Sequence, residues 1–141
     1  MNHNSGMKSV TKAAASVAAS ATHSHEIDTL GFKYAAIDVI FSPFTAATTS
    51  YASVLKVQES DTSGSGQADV SGLSITAGAG ATATVGAVAR FNIDLRGRKR
   101  YLTVVTSPGN TVAVVTNARL SKAESAATDA TSAGVNNYAS L

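Results

Sequence analysis

The chain has 141 residues, a net charge of +2 and no Cys; 14% of its residues are charged, against roughly 25% in a typical soluble domain. That length sets one domain as the prior, and the small net charge argues against nucleic-acid binding over the whole surface. Without Cys there are no disulfides or thiolate metal sites, so stability must come from packing or oligomerisation. Hydrophobic residues make up 44% of the chain, much of that Ala and Val, and aromatics only 6%, with no Trp. A chain so poor in charge is expected to hide surface against a partner.

Residues 1–26 are mostly Ala, Ser, Thr, Asn, His and Lys, with almost no large apolar side chain. Such a segment cannot bury enough area by itself to offset its ordering entropy, so it reads as an N-terminal arm held by a neighbouring chain. Alanine also leaves a short helix open over Lys12 to Ala21. Met7 to Ala21 has the outline of a secretory signal, with Lys8 and Lys12 as the basic region and Ala19-Ser20-Ala21 as a cleavage site, but its apolar part lacks Leu, Ile and Phe, which argues against one. No apolar run approaches the ~20 residues of a membrane helix, and no membrane role is expected.

The body is read over 27–120. Ile27 to Leu30 opens it and Gly31 punctuates. Lys33 to Phe41 alternates, with Lys33, Ala35, Ile37, Val39 and Phe41 on one face and Phe32, Tyr34, Ala36, Asp38 and Ile40 on the other. Apolar groups on both faces predict a central or interface strand, ended by Pro43. Tyr51 to Glu59 is a second strand, and Glu59 to Gly66 a polar loop. Ala68 to Ile75 is strand material broken at Gly72, Ala77 to Gly80 a flexible link, and Thr82 to Val85 a marginal strand. Arg90 to Leu95 is strong, with Phe91, Ile93 and Leu95 pointing one way and Asn92, Asp94 and Arg96 the other. Gly97 permits a turn; Tyr101 to Thr106 follows, so the stretch reads as a hairpin with a basic tip. Ser107-Pro108-Gly109-Asn110 has the order of a type II turn, and Thr111 to Arg119 is the last strand. Residues 121–141 form a C-terminal tail like the first arm, with helix possible around Lys122 to Ala127 and with Val135, Tyr138 and Leu141 as anchors for a partner surface. Roughly eight short strands at close spacing predict an all-β fold: a small β-sandwich or jelly-roll-like body with low-complexity arms at both ends.

The hairpin tip Arg96, Arg98, Lys99 and Arg100 has three readings. It is a solvated tip, a contact to an acidic protein surface through bidentate guanidinium donors, or a nucleic-acid contact, for which only Tyr101 supplies an aromatic platform. Asp94 is expected to pair with Arg100 or Arg96. His23 and His25, beside Glu26 and Asp28, fall short of the fixed three or four ligands of a zinc site. Glu59, Asp61 and Asp69 do not follow a calcium loop. No G-x-S-x-G occurs, the histidines lie in the arm, and Gly78-Ala79-Gly80 lacks the Gly-Lys pair of a phosphate loop. The chain is therefore read as no enzyme, with no cofactor and no metal.

Two stretches carry a family resemblance: Leu55-Lys56-Val57-Gln58-Glu59-Ser60-Asp61, and Phe91-Asn92-Ile93-Asp94-Leu95-Arg96-Gly97-Arg98-Lys99-Arg100-Tyr101-Leu102. In these, and in the order strand, polar loop, strand, basic turn, residues 27–124 resemble the head decoration (cement) proteins of tailed bacteriophages. The resemblance implies a β-sandwich that trimerises on the outer surface of the phage head and clamps neighbouring major capsid subunits, without a cofactor. Lys8, Lys12, Arg96, Arg98, Lys99, Arg100 and Tyr138 are the residues expected at capsid or intersubunit contacts, with nucleic acid the minor alternative. The second functional expectation is a carbohydrate or host-surface module on the virion, in which Tyr34, Tyr51 and Tyr101 would stack on sugars.

Overall fold

A computed structural model describes residues 6–44, 50–78, 86–122 and Gly134. The described residues form eight strands: β1 (Lys8–Val17), β2 (His23–Asp28), β3 (Tyr34–Phe41), β4 (Ala52–Ser60), β5 (Ala68–Ser74), β6 (Ala87–Asp94), β7 (Tyr101–Pro108) and β8 (Val112–Ser121). They build two four-stranded sheets, in the orders β1-β8-β3-β6 and β2-β7-β4-β5, and every pair within them is antiparallel. No α-helix occurs among the described residues.

One apolar core draws on both sheets, a sandwich-like arrangement. From the first sheet come Ile37, Val39, Phe41, Phe91, Ile93, Val114 and Leu120; from the second come Ile27, Leu55, Val57, Leu102 and Val104. The period-two pattern explains this partition, because alternate side chains of a strand fall on opposite faces. Ala35, Ile37, Val39 and Phe41 are all buried, as their alternation requires, and β3 sits between β8 and β6 in the middle of its sheet. Phe91, Ile93 and Leu95 point into the same core.

Four sequence expectations need correction. First, residues 8–17 and 23–26, read as parts of an arm, form β1 and most of β2; β1 pairs with β8 from Lys8↔Leu120 to Val17↔Val112, and β2 pairs with β7. The composition argument counted only the apolar area the segment buries by itself. An edge strand also borrows a ladder of hydrogen bonds from its neighbour, and β8 supplies it. Second, the stretch in which alanine left a helix open is strand as far as Val17. Third, β6 and β7 are not a hairpin. β6 pairs with β3 in one sheet and β7 with β2 and β4 in the other, so the basic turn crosses from sheet to sheet at one end of the molecule. Fourth, Gly109 has no positive φ, unlike the third residue of a type II turn. It is required instead by close approach, since a Cβ there would collide with the Ser50 carbonyl, and Gly109 N donates to Tyr51 O at 2.9 Å. The expected strand Thr82 to Val85, most of the tail helix at 122–127, and the tail anchors lie outside the described residues.

The two outer faces differ. The loop after β4 reaches across the second sheet to β2, where Gly64 N and Ser63 Oγ donate to the Glu26 carboxylate. These bonds hold Glu26 below the usual carboxylate range. Thr103, outward-facing between Glu26 and Gln58, is consequently buried. On the first sheet the outward rows read Ala13–Val115–Ile40–Val88, then Thr11–Asn117–Asp38–Arg90, then Ser9–Arg119–Ala36–Asn92 across four strands, and at the end Ser121–Tyr34–Asp94 across three; Gly134 of the tail packs against Ser9 at the edge.

Candidate interaction surface

The basic turn is charge-balanced inside the chain. The Asp94 carboxylate pairs with Arg96 and also accepts from Arg96 N at 3.0 Å, which folds the chain back immediately after β6. Arg98 approaches Glu59 at 3.6 Å and Lys99 approaches Asp61 at 3.5 Å. Arg100 grips Asp28 with two bonds, of 2.9 and 2.8 Å. The backbone adds to this: Lys99 N donates to Glu59, and the Arg100 carbonyl accepts from both the amide and the hydroxyl of Thr29. Gly97, at φ +81, supplies the left-handed residue that the turn needs. Four cations thus meet four acids drawn from the ends of β2, β4 and β6. The Arg96 hydrogen bonds hold Asp94 at about 2, and those from Arg100 lower Asp28. Sequence proximity concentrates the cations, and tertiary folding brings the neutralising acids to them. The Asp94–Arg96 pair is one of the two alternatives expected from sequence; Arg100 takes Asp28 instead.

Lys12 and Lys8 lie on β1, on the row facing the sandwich interior, opposite Thr116 and Leu120. Lys12 Nζ donates to Ser24 O on β2 at 2.6 Å and so bridges the two sheets along their β1–β2 side. Lys8 lies near enough to Asp28 to help lower its pKa. Tyr138 lies outside the described residues.

Behind Lys12 is a buried polar cluster whose two histidines the sequence placed in the arm. His23 and His25 face inward on β2, opposite Thr106 and Val104, and both are 5% exposed. His23 Nε2, His25 Nδ1, Thr106 Oγ1 and Thr116 Oγ1 have no hydrogen-bond partner among the described residues. Burial, followed by the charge of Lys12 and by His23, pushes His25 down to about 4; burial and Lys12 also lower His23. The spacing His-Ser-His had a detectable signal, since alternate residues of a strand share a face.

The outward face of the first sheet carries further exposed groups. Its apolar row includes Val88, 62% exposed, and Ile40, 39% exposed. Beside it, Arg90 clamps Asp38 at 2.6 and 2.9 Å and Thr11 donates to Asn117 at 2.7 Å. At the far end stands Tyr34, approached by the Arg96 guanidinium at 5.4 Å and by Lys122 Nζ at 5.2 Å from the ring centre. Of the three tyrosines expected as sugar platforms, Tyr51 packs edge-on against Phe41 and Tyr101 lies beneath Arg100. Tyr34 lines a surface cavity of about 310 Å³ together with Ala36, Asn92, Asp94 and Ser121. Among the described residues no group of three His, Asp or Glu side chains is placed to hold a metal ion. No protein-family model matches the chain, and no curated protein matches it.

Proposed function

We propose that this chain is a structural virion protein, a decoration or cement protein that binds the outer surface of a phage head as a homotrimer and bridges major capsid subunits. The observation that carries the reading is the apolar row Ala13–Val115–Ile40–Val88, which crosses all four strands on the outward face of the first sheet. An apolar strip bordered by a polar row is the expected make-up of a protein contact. Two further features support it. The strand orders 1-8-3-6 and 2-7-4-5 are read here as a double-sheet jelly roll, an architecture used by viral capsid proteins. The sequence resemblance to head decoration proteins supplies the trimer and the capsid partner by analogy. The mechanism is multivalent: several weak contacts on one rigid oligomer give more avidity than any one of them.

The balanced basic turn moves the expected contact away from Arg96–Arg100 and onto the open sheet face. Light scattering should return three times the 14.2 kDa chain mass. Val88→Asp, which places a charge in the apolar strip, should lower both the oligomer mass and co-sedimentation with undecorated phage heads. A wild-type monomer that does not sediment with heads would refute the reading, as would a Val88→Asp protein with unchanged mass and unchanged occupancy.

A further inference from the structure

We infer that the Tyr34 cavity is a binding site for one acidic sugar residue of a glycan, independent of the assembly reading above. The cavity has a simple origin. In the row Ser9–Arg119–Ala36–Asn92, Ala36 is short while Arg119 and Asn92 on either side are long, and the next row raises Tyr34. The result is a depression floored by an alanine and walled by an aromatic ring, an amide, a hydroxyl and the Asp94 carboxylate. Its volume of about 310 Å³ lies at the lower end of the ~300–1,000 Å³ range of ligand sites, room for a single ring.

The charge around it is distinctive. Six ion pairs absorb Lys56, Arg90, Arg96, Arg98, Lys99 and Arg100. Among the described residues Lys8, Lys12, Lys33, Arg119 and Lys122 stand outside these pairs, and two of them come to this end of the sheet face: Arg119 lies opposite Ala36, and Lys122 stands over Tyr34. Asp94 does not oppose an anion strongly, because Arg96 neutralises it. A ring with cations beside it offers stacking for the apolar face of a pyranose, and Lys122 and Arg119 can turn from the protein to the sugar carboxylate. Asn92 and Ser121 supply donors and acceptors for hydroxyls. A flat acidic protein surface would not use a one-ring depression, and a nucleic-acid backbone would need cations spaced along a track.

The test is amide-resolved NMR titration of the full chain with methyl β-glucuronide, and with methyl β-glucoside as the neutral counterpart. The glucuronide should give saturable shifts at Ala36, Asn92 and Ser121, with about tenfold weaker binding of the glucoside because the charge-assisted bonds are lost. Tyr34→Ala should abolish the shifts, and Tyr34→Phe should retain them. Lys122→Gln, an exposed change that leaves the sheets intact, should weaken binding about fivefold, and added salt should weaken it further. Arg98→Gln should have no effect. The proposal is overturned if the glucuronide gives no saturable shifts at these residues, or if glucoside, acetate or a polyglutamate peptide binds there as tightly. Unchanged binding by Lys122→Gln would also overturn it.

Discussion

At the residue scale, the inward histidines are the most consequential finding. His25 is buried, next to Lys12 and His23, and its pKa falls from 6.5 to about 4. A histidine depressed on folding binds its proton more readily in the unfolded chain. Its contribution is therefore complete above pH 6.5 and is lost as pH falls from 6.5 towards 4. A shift of this size amounts to about 3 kcal/mol at its limit and about 2 kcal/mol by pH 5. Urea unfolding between pH 7.5 and pH 5 should show that loss, and His25→Phe should remove most of the slope. An equal slope in the variant would assign the pH dependence to other groups. Asp94, Asp28 and Asp38, all lowered by their arginine partners, titrate below this window. The two-residue spacing was visible in the sequence. Which way the pair faces was not, because that depends on the register of β2 against β7.

At the element scale, the connection between β6 and β7 shows how one motif reads differently in one and three dimensions. Two alternating strands around a glycine turn have the outline of a hairpin. Here each strand finds a longer-range partner, β3 or β4, and the connection becomes a crossover pinned by acids. The pins are unequal. Glu59, whose side chain is 18% exposed, accepts from Lys99 N and faces Arg98, whereas Asp61, 75% exposed, meets only the flexible end of Lys99. Glu59→Gln should destabilise the fold by about 1–2 kcal/mol, through a weakened acceptor for a backbone amide. Asp61→Asn should cost less than about 0.5 kcal/mol. Thermal unfolding of the two variants checks this; equal effects would mean that the turn is held by diffuse charge rather than by the Glu59 contact.

At the scale of the whole molecule, the first strand belongs to the sheet from which the arm reading separated it. β1 covers the edge of β8, carries Val17 into the core and packs Val10 and Ala14 against it. Removing residues 1–17 should therefore abolish cooperative thermal unfolding, or lower its midpoint sharply, when followed by circular dichroism. An arm attached to an independent body would leave the midpoint where it was. Among the described residues, a loop anchored on Glu26 covers one outer face, and assembly and glycan recognition, as proposed here, use opposite ends of the other.

The sequence by itself determined the β class, close to the right number of strands, and the inward sets on β3 and β6. All of these rest on local alternation, and alternation is a property of consecutive residues. It also located the acidic and basic groups along the chain. Only the tertiary structure decided their pairing, because the partners are distant in sequence: Asp28 with Arg100, Asp38 with Arg90, Glu59 with Arg98. The same holds for β1, whose small residues carry little apolar signal and whose strand form comes from the ladder of β8. Register across four strands, which no single stretch encodes, is what turned a dense basic turn into a balanced clamp. It also brought Arg119 and Lys122 to the end of the face that carries Tyr34.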